Sequence, residues 1–309
     1  MSFELTQDNH FQFGRLEDDQ NTFVVTCGSV TRPIATCFDE AVLAAQDIYK
    51  KNRTLPIKLL MSGGVDSECM AQAFLAAHVP FTVVFMRFKD NLNAFDIFSN
   101  VQFCEEKNIS YEYIDLDVVD FFESGKYKAI AEKYECQSPQ IATHLWLLEQ
   151  VQGLPVLGGN PIAPIWKGDR WFYIGLPGEL HSTYFKFFLI NERPGIPWFF
   201  LYSPELIASF FLLPCMSDFV NKKVLSEADY SYQKKCAAYN EGGFSITPRQ
   251  NKFTGFELLR QHYDQLDNKT YGQAFDIRFR APLEEMFIFP ETYLQFVPKN
   301  YFPENIKVE

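Results

Sequence analysis

The chain has 309 residues, of which 47% are hydrophobic and 17% aromatic, so it can bury a sizeable core and is not a disordered protein. Its formal net charge of −11 disfavours a protein that binds nucleic acid by neutralising phosphates, because such proteins present basic surfaces. Seven cysteines without a CxxC pair indicate reduced thiols. With no signal-peptide pattern and no uninterrupted membrane-length apolar run, we expect a cytoplasmic protein.

The first elements in chain order are two or three short strands within residues 1–36, where 10–15 and 22–30 have the aromatic and β-branched composition of strands. A helix follows over residues 37–52, where apolar residues recur at helical spacing. From there strands and helices alternate. The predicted strands are 56–61, 80–88, 109–117 and 154–160, and the predicted helices are 66–78, 93–108, 118–135 and 139–153. Such alternation predicts an α/β fold with a parallel, doubly wound, Rossmann-like sheet.

The second half of the chain has a different character. Residues 165–175 have the pattern of a hairpin, and the run 196–214 has that of a buried strand followed by a helix. We expect three parts: an N-terminal β segment (1–38), an α/β nucleotide-binding domain (39–215) and a C-terminal, mainly helical or loop region (216–309). The last part would bind substrate or cap the site.

The sequence SGGVDS stands between the predicted strand 56–61 and the helix after it. Its two glycines let backbone N–H groups approach an anion, its two serines add hydroxyl donors, and the helix contributes its positive end. A carboxylate beside a phosphate site requires a cation, so Asp66 is interpreted as a Mg²⁺ ligand. The predicted strand 154–160 ends on a second glycine pair, Gly158-Gly159. Because ligands bind beyond the carboxyl ends of parallel strands, both glycine pairs are predicted to lie at one site.

In this strand–loop–helix context, SGGVDS resembles the signature SGGxDS of the PP-loop ATP pyrophosphatases, also called adenine nucleotide α-hydrolases. The resemblance covers roughly residues 40–165 and implies ATP and Mg²⁺ as cofactors, adenylation of a substrate oxygen and release of pyrophosphate. It implies a pyrophosphate and Mg²⁺ site (Ser62, Gly63, Gly64, Val65, Asp66, Ser67), an adenine site (Phe85, Met86, Arg87) and a site beside the α-phosphate and substrate (Gly158, Gly159, Asn160). The last match is looser, because many relatives carry an acidic residue near that position.

Three cations are candidates for stabilising the charge that develops on the leaving pyrophosphate. Lys186 lies among aromatic residues, and the alternative interpretation is a lysine whose ammonium group reaches the surface. Arg249 and Lys252 lie in a Gly-rich, basic loop that can close over pyrophosphate. The alternative interpretation of this loop is a solvated turn. For His144 a structural role is favoured over proton transfer, and for Cys136 the role of a small apolar side chain is favoured.

Within this family, the stretch is similar to the synthetase domain of asparagine synthetase, an amide-forming enzyme. That enzyme carries a glutaminase with a cysteine at position 2, where this chain has Ser2, so no glutaminase domain is expected. We therefore predict an AMP-forming ligase that acts on a small-molecule carboxylate or carbonyl. Ammonia or an amine, supplied from solution or by a partner protein, would be the nitrogen donor. The alternatives are a nucleoside- or RNA-modifying enzyme and a nucleotide-binding subunit without activity. A homodimer is also compatible with the sequence.

Overall fold

The computed structural model describes residues 10, 12–15, 22–161, 164–167, 170–173, 181–220, 231–246, 249, 254–287 and 292–302. Nine strands lie in these ranges: β1 Gln12–Arg15, β2 Thr22–Thr26, β3 Ile57–Leu60, β4 Phe81–Phe88, β5 Tyr111–Leu116, β6 Leu154–Leu157, β7 Pro164–Lys167, β8 Arg170–Tyr173 and β9 Thr292–Val297.

The helices of the first half are α1 Cys37–Lys51, α2 Val65–Ala76, α3 Ala94–Glu106, α4 Val118–Glu123, α5 Lys126–Tyr134 and α6 Pro139–Gln150. Those of the second half, again within the described ranges, are α7 His181–Ile190, α8 Pro204–Phe211, α9 Ser217–Val220, α10 Tyr232–Glu241, α11 Phe256–Asp267, α12 Gln273–Phe275 and α13 Ala281–Met286.

Four strands form the sheet that carries the site. Their order is β5-β4-β3-β6, and each neighbouring pair is parallel. The chain moves from β3 outward to β4 and β5, and then returns to place β6 on the other side of β3. This change of direction creates a topological switch point between β3 and β6. The predicted α/β fold with a parallel, doubly wound sheet is confirmed.

Both faces of this sheet are covered. Ile57 and Leu59 of β3 belong to a core with α1, α2 and α3, whereas Leu60 belongs to a second core with α4, α5 and α6. Successive strand residues point to opposite faces, so a strand buried on both sides must be apolar throughout. That requirement explains the short continuous apolar runs of β3 and β6. Helices α8 and α10 add to the first core, and α7 and α11 add to the second.

Two sequence predictions of local structure were wrong in detail. The predicted helix 118–135 is divided into α4 and α5, because Gly125 has φ of +76°, a conformation that does not continue a helix. The strand predicted at the start of the run 196–214 is reduced to an isolated bridge between Ile196 and Val156, followed by a 3-10 turn at Phe199–Leu201. The helix predicted after it is present as α8.

A second, five-stranded sheet has the order β1-β2-β9-β8-β7. The predicted hairpin is present, since β7 and β8 pair antiparallel with Pro164 opposite Tyr173. Strands of this sheet come from all three predicted segments, because β2 pairs with β9 and β8 also pairs with β9. The division of the chain at residues 38 and 215 stays a prediction.

The cysteines and the lengths of the helices bear on the predictions of reduced thiols and of no membrane span. All seven cysteines lie in the described ranges, and none forms a disulfide. Within those same ranges, no helix combines the length and apolar character needed to cross a membrane.

Candidate active site

The SGGVDS segment, residues 62–67, connects β3 to α2 at the switch point. The N–H of Ser62 donates to Ser67 Oγ (3.3 Å), and the N–H of Gly64 donates to Ser62 Oγ (3.2 Å). The two serine hydroxyl oxygens lie 3.4 Å apart. Helix α2 opens on Gly64, and this N-cap residue supplies no side-chain acceptor to the first turn. The first N–H groups of a 12-residue helix are thereby left for an anion.

Two glycines of the site admit no side chain. A Cβ on Gly63 would lie 1.1 Å from the backbone oxygen of Asp96, so α3 approaches the segment as closely as a glycine permits. A Cβ on Gly159 would lie 0.9 Å from the indole of Trp198, and Gly159 also has φ of +64°. These positions require glycine because of close approach, and at Gly159 also because of backbone conformation.

The two glycine pairs meet at one edge of the sheet, as the sequence predicts. Strands β3 and β6 pair with Leu60 opposite Leu157, so both chains leave the sheet side by side. A Cβ built on Gly158 would be in ordinary contact, at 3.7 Å, with backbone atoms of Asp66 and Ser67. The carboxyl end of β6 therefore lies against the first turn of α2.

A cavity of about 360 Å³ opens at this edge. This volume lies within the range of small-molecule sites, roughly 300–1,000 Å³. Several sequence-predicted residues line it: Ser62, Asp66, Ser67, Met86, Gly158, Gly159 and Asn160. Other polar lining residues were not assigned to the site from the sequence: Asn93, Asp96, Gln140, His144, Tyr184, Lys235 and Thr254. Apolar side chains such as Trp198 and Phe256 complete the walls.

Asp66 is held by two residues of α10. Lys235 Nζ lies 3.1 Å from Asp66 Oδ2, and Tyr239 Oη donates to Asp66 Oδ1 at 2.7 Å. The side chains of Asp66 and Lys235 are each about one-fifth exposed, so neither charge is fully withdrawn from water. Among the described lining residues, Lys235 is the one lysine or arginine side chain. Helix α10 thus brings a cation from the C-terminal region to the start of α2.

Behind the segment, the side chains of Asn100 and Arg249 contact its carbonyl groups. Asn100 Nδ2 donates to the carbonyls of Ser62 and Gly64, the second at 3.1 Å. Arg249 donates to the carbonyl of Gly63, to the Glu68 carboxylate and to Asn100 Oδ1, the last at 2.8 Å. Burial raises the pKa of Glu68, and the Arg249 guanidinium opposes that shift. The predicted cation Arg249 is therefore present beside the segment, in an ion pair with Glu68.

The residues implied for adenine lie at the end of β4 with different surroundings. Phe85 is completely buried in the core with α2, whereas Met86 lines the cavity. Arg87 points away from it: the guanidinium forms two hydrogen bonds with Asp115 and lies 4.4 Å from the ring centre of Tyr113. Backbone contact with adenine at this strand end stays a prediction.

A buried asparagine that sequence reasoning did not single out holds the same strand end. Asn93 Nδ2 donates to the Met86 carbonyl (2.8 Å), and Asn93 Oδ1 accepts from the Phe88 N–H (2.7 Å). Asn93 also lines the cavity, so it fixes the backbone at the position implied for adenine.

The cation candidate Lys186 is not brought to the cavity. Lys186 of α7 forms an ion pair with Glu135, and Lys186 is not among the lining residues. Lys252 lies outside the described residues. His144, for which a structural role was favoured, lines the cavity, and its Nδ1 lies 2.8 Å from Tyr184 Oη. Cys136 is buried, and burial raises the pKa of its thiol to about 12, in keeping with an apolar role.

The donor groups of the cavity suit Mg²⁺ that is also bound by phosphate oxygens. Among the described residues, no group of three or more His, Cys, Asp or Glu side chains is placed to hold a metal ion alone. Mg²⁺ in nucleotide sites is usually held by one or two carboxylates together with phosphate oxygens. Asp66 and Asp96 both line the cavity, so the residues present fit a nucleotide-bound Mg²⁺. The glycine-lined segment at a helix N-terminus fits a phosphate group.

Sequence reasoning missed Asn100, Lys235 and Tyr239. Asn100 interrupts the apolar face of α3, and a polar residue on that face is the signal that the sequence offered. In the structure this asparagine is completely buried. Lys235 and Tyr239 are four residues apart on α10 and so share a helix face, but nothing local connects them with residue 66. Their function depends on how the C-terminal region packs.

No protein-family model matches the chain, and no curated protein sequence matches it. Among solved structures, it is similar to an NMN synthetase from Francisella tularensis at 14% identity, over 69% of this chain and 97% of that one, with a TM-score of 0.33. It is also similar to an NH3-dependent NAD synthetase from Campylobacter jejuni subsp. jejuni at 13% identity, with the same coverage and TM-score. Similarities at this level have no bearing on what the cavity of this protein binds.

Proposed function

We propose that this protein is an ATP-dependent, AMP-forming ligase of the PP-loop type. It would adenylate a small-molecule carboxylate or carbonyl oxygen, release pyrophosphate, and then transfer nitrogen, as an asparagine-synthetase-like ligase without a glutaminase would. One observation carries the proposal. The SGGVDS segment and the glycine end of β6 meet at the switch point of a parallel sheet and face a cavity that also contains Asp66 and Lys235.

The residues of the segment would hold the leaving group. In the proposed reaction the substrate oxygen attacks the α-phosphorus of ATP, the bond from that phosphorus to the bridging oxygen breaks, and pyrophosphate leaves. The first N–H groups of α2 and the hydroxyls of Ser62 and Ser67 are donors for the charge on that group. Lys235 would add a positive charge, and Asp66, with Asp96, would hold the Mg²⁺ that accompanies the phosphates.

Other residues that line the cavity would receive the acceptor. Their polar groups include Gln140, His144, Tyr184 and Asn160, all uncharged when His144 is neutral. Apolar residues such as Leu147 and Trp198 surround them. A wall of this kind fits an acceptor with one carboxylate or carbonyl on an apolar or aromatic body. Ammonia or an amine would be the nitrogen donor, from solution or from a partner.

The test is a search for products. The protein is incubated with ATP, Mg²⁺, an ammonium salt and pooled carboxylic acids or modified nucleosides, and AMP and new masses are detected by mass spectrometry. The Asp66→Asn variant should form AMP at least about a hundredfold more slowly, because a charged group in the proposed machinery is lost. Asp120→Asn is the matched control, since Asp120 forms an exposed ion pair with Lys126 far along the chain from the segment.

Four outcomes would contradict the proposal. Unchanged AMP production by Asp66→Asn would remove Asp66 from the machinery. ADP in place of AMP would exclude attack at the α-phosphorus. Binding of ATP without turnover of any pool would favour a nucleotide-binding subunit, and turnover only with nucleosides or RNA would favour a base-modifying enzyme.

A further inference from the structure

We propose that Asn100, Arg249 and Glu68 form a clamp that sets the direction in which the peptide groups of the SGGVDS segment face. They act as positioning residues: none of them lines the cavity, and they contact the carbonyl groups of the segment or one another. This inference rests on the proposed function, because it concerns how that segment presents its N–H groups to pyrophosphate.

Three consecutive carbonyl groups are occupied from behind. Asn100 Nδ2 donates to the carbonyls of Ser62 and Gly64, and Arg249 donates to the carbonyl of Gly63. Arg249 also donates to Asn100 Oδ1 at 2.8 Å, which fixes the orientation of the amide. With Oδ1 engaged by a donor, the Nδ2 group must face the carbonyls.

Peptide geometry then determines the opposite side. In a trans peptide, the C=O and the following N–H point in opposite directions. Because Asn100 and Arg249 hold the carbonyls of residues 62, 63 and 64, the N–H groups of residues 63, 64 and 65 face away from the clamp. Of these, the N–H of Gly64 donates to Ser62 Oγ on that side. An anion site built from backbone N–H groups needs this alignment before the ligand arrives, since preorganised donors cost no rearrangement during the reaction.

The positive charge of Arg249 is paired within the clamp and does not contact the anion. Its guanidinium is paired with the Glu68 carboxylate, and the two side chains are 18% and 11% exposed. Asn100 is completely buried. A partly buried guanidinium that meets a carboxylate, an amide oxygen and a carbonyl is satisfied by several fixed acceptors, a geometry that lysine does not reproduce. This assignment differs from the sequence prediction, in which Arg249 contacts pyrophosphate directly.

The decisive variant is Asn100→Leu, which keeps the size and the charge of the site and removes both donors. Pyrophosphate with Mg²⁺, and separately AMP, are titrated into each protein by calorimetry below its thermal transition. We expect the Kd for pyrophosphate to rise at least about tenfold, the effect of losing one to two hydrogen bonds, with the Kd for AMP changed about twofold or less.

Asn191→Leu is the matched control. Asn191 also donates to a backbone carbonyl, that of Phe187 at 2.7 Å, but it is exposed and directly follows α7, far along the chain from the segment. It should lower the thermal transition and leave pyrophosphate affinity unchanged. If Asn100→Leu binds pyrophosphate like the unmodified protein, or weakens pyrophosphate and AMP equally, the clamp is refuted.

Arg249→Lys tests the clamp if Asn100→Leu does not fold. It keeps a positive charge but cannot contact all three acceptors, so the clamp predicts a rise of about fivefold or more in the Kd for pyrophosphate. A direct charge–anion contact predicts near-normal affinity, and that result overturns the proposal. If the unmodified protein itself binds no pyrophosphate, the proposed function fails, and the clamp fails with it. That result is seen before any variant is made.

Discussion

Replacing Gly63 with alanine should separate the SGGVDS segment from α3. The added Cβ would lie 1.1 Å from the Asp96 oxygen and 2.3 Å from its carbonyl carbon, and real Cβ contacts essentially never fall below 3.0 Å. The obstacle is backbone on both sides, so no side chain can rotate away. Segment and helix must move apart by about 2 Å to remove the overlap.

The magnitude follows from two effects. Overfilling a packed site costs about 1–3 kcal/mol. Moving α3 away also breaks the two hydrogen bonds from Asn100 to the segment, at about 1 kcal/mol each. We therefore expect Gly63→Ala to lower the free energy of unfolding by about 3–5 kcal/mol. Pyrophosphate affinity should fall as well, because the displaced segment carries the N–H donors.

Gly158→Ala is the matched control. A Cβ at Gly158 would meet its nearest atoms at 3.7 Å, an ordinary contact, although this glycine lies at the same edge of the sheet. Its free energy of unfolding should change by about 1 kcal/mol or less. Urea unfolding followed by the fluorescence of the four tryptophans, with linear extrapolation, measures both variants. If Gly63→Ala is as stable as Gly158→Ala, the close approach of α3 to the segment is refuted.

The remaining predictions concern charged and titrating side chains. Lys235→Met should slow AMP formation about tenfold or more, because it removes the cation beside Asp66; an unchanged rate in a quenched-flow assay would exclude that function. Lys186→Met should change the rate and the free energy of unfolding little, by about 1 kcal/mol or less for the latter, because its ion pair with Glu135 is partly exposed and lies outside the cavity. Burial lowers the pKa of His10 to about 4, and the unfolded chain binds a proton near pH 6.5, so stability present above that pH should be lost as the pH falls. Between pH 7.5 and 5, the free energy of unfolding measured in urea should fall by about 2 kcal/mol more in the unmodified protein than in His10→Gln. Equal decreases would show that His10 is not buried in its neutral form.

The sequence by itself determined the features that depend on short stretches of chain. Alternating strands and helices fix a parallel α/β sheet, because a buried parallel strand must be apolar and its crossover must be a helix. The six residues SGGVDS predict an anion site, since glycines at the start of a helix expose N–H groups wherever the rest of the chain goes. The glycine pair at 158–159 could be placed at the same edge for a similar reason: parallel strands end together.

Only the tertiary structure decided which side chains surround that site. Lys235 and Tyr239 reach Asp66 from more than 160 residues away, and Arg249 reaches Gly63 from a similar separation. Such contacts depend on how helices pack, and the spacing of residues along the chain does not encode them. The sequence predicted Lys186 and Arg249, with Lys252, as cations for an anion. Packing paired Lys186 and Arg249 with carboxylates that do not line the cavity, and it brought Lys235, which no local pattern distinguishes, to the cavity beside Asp66.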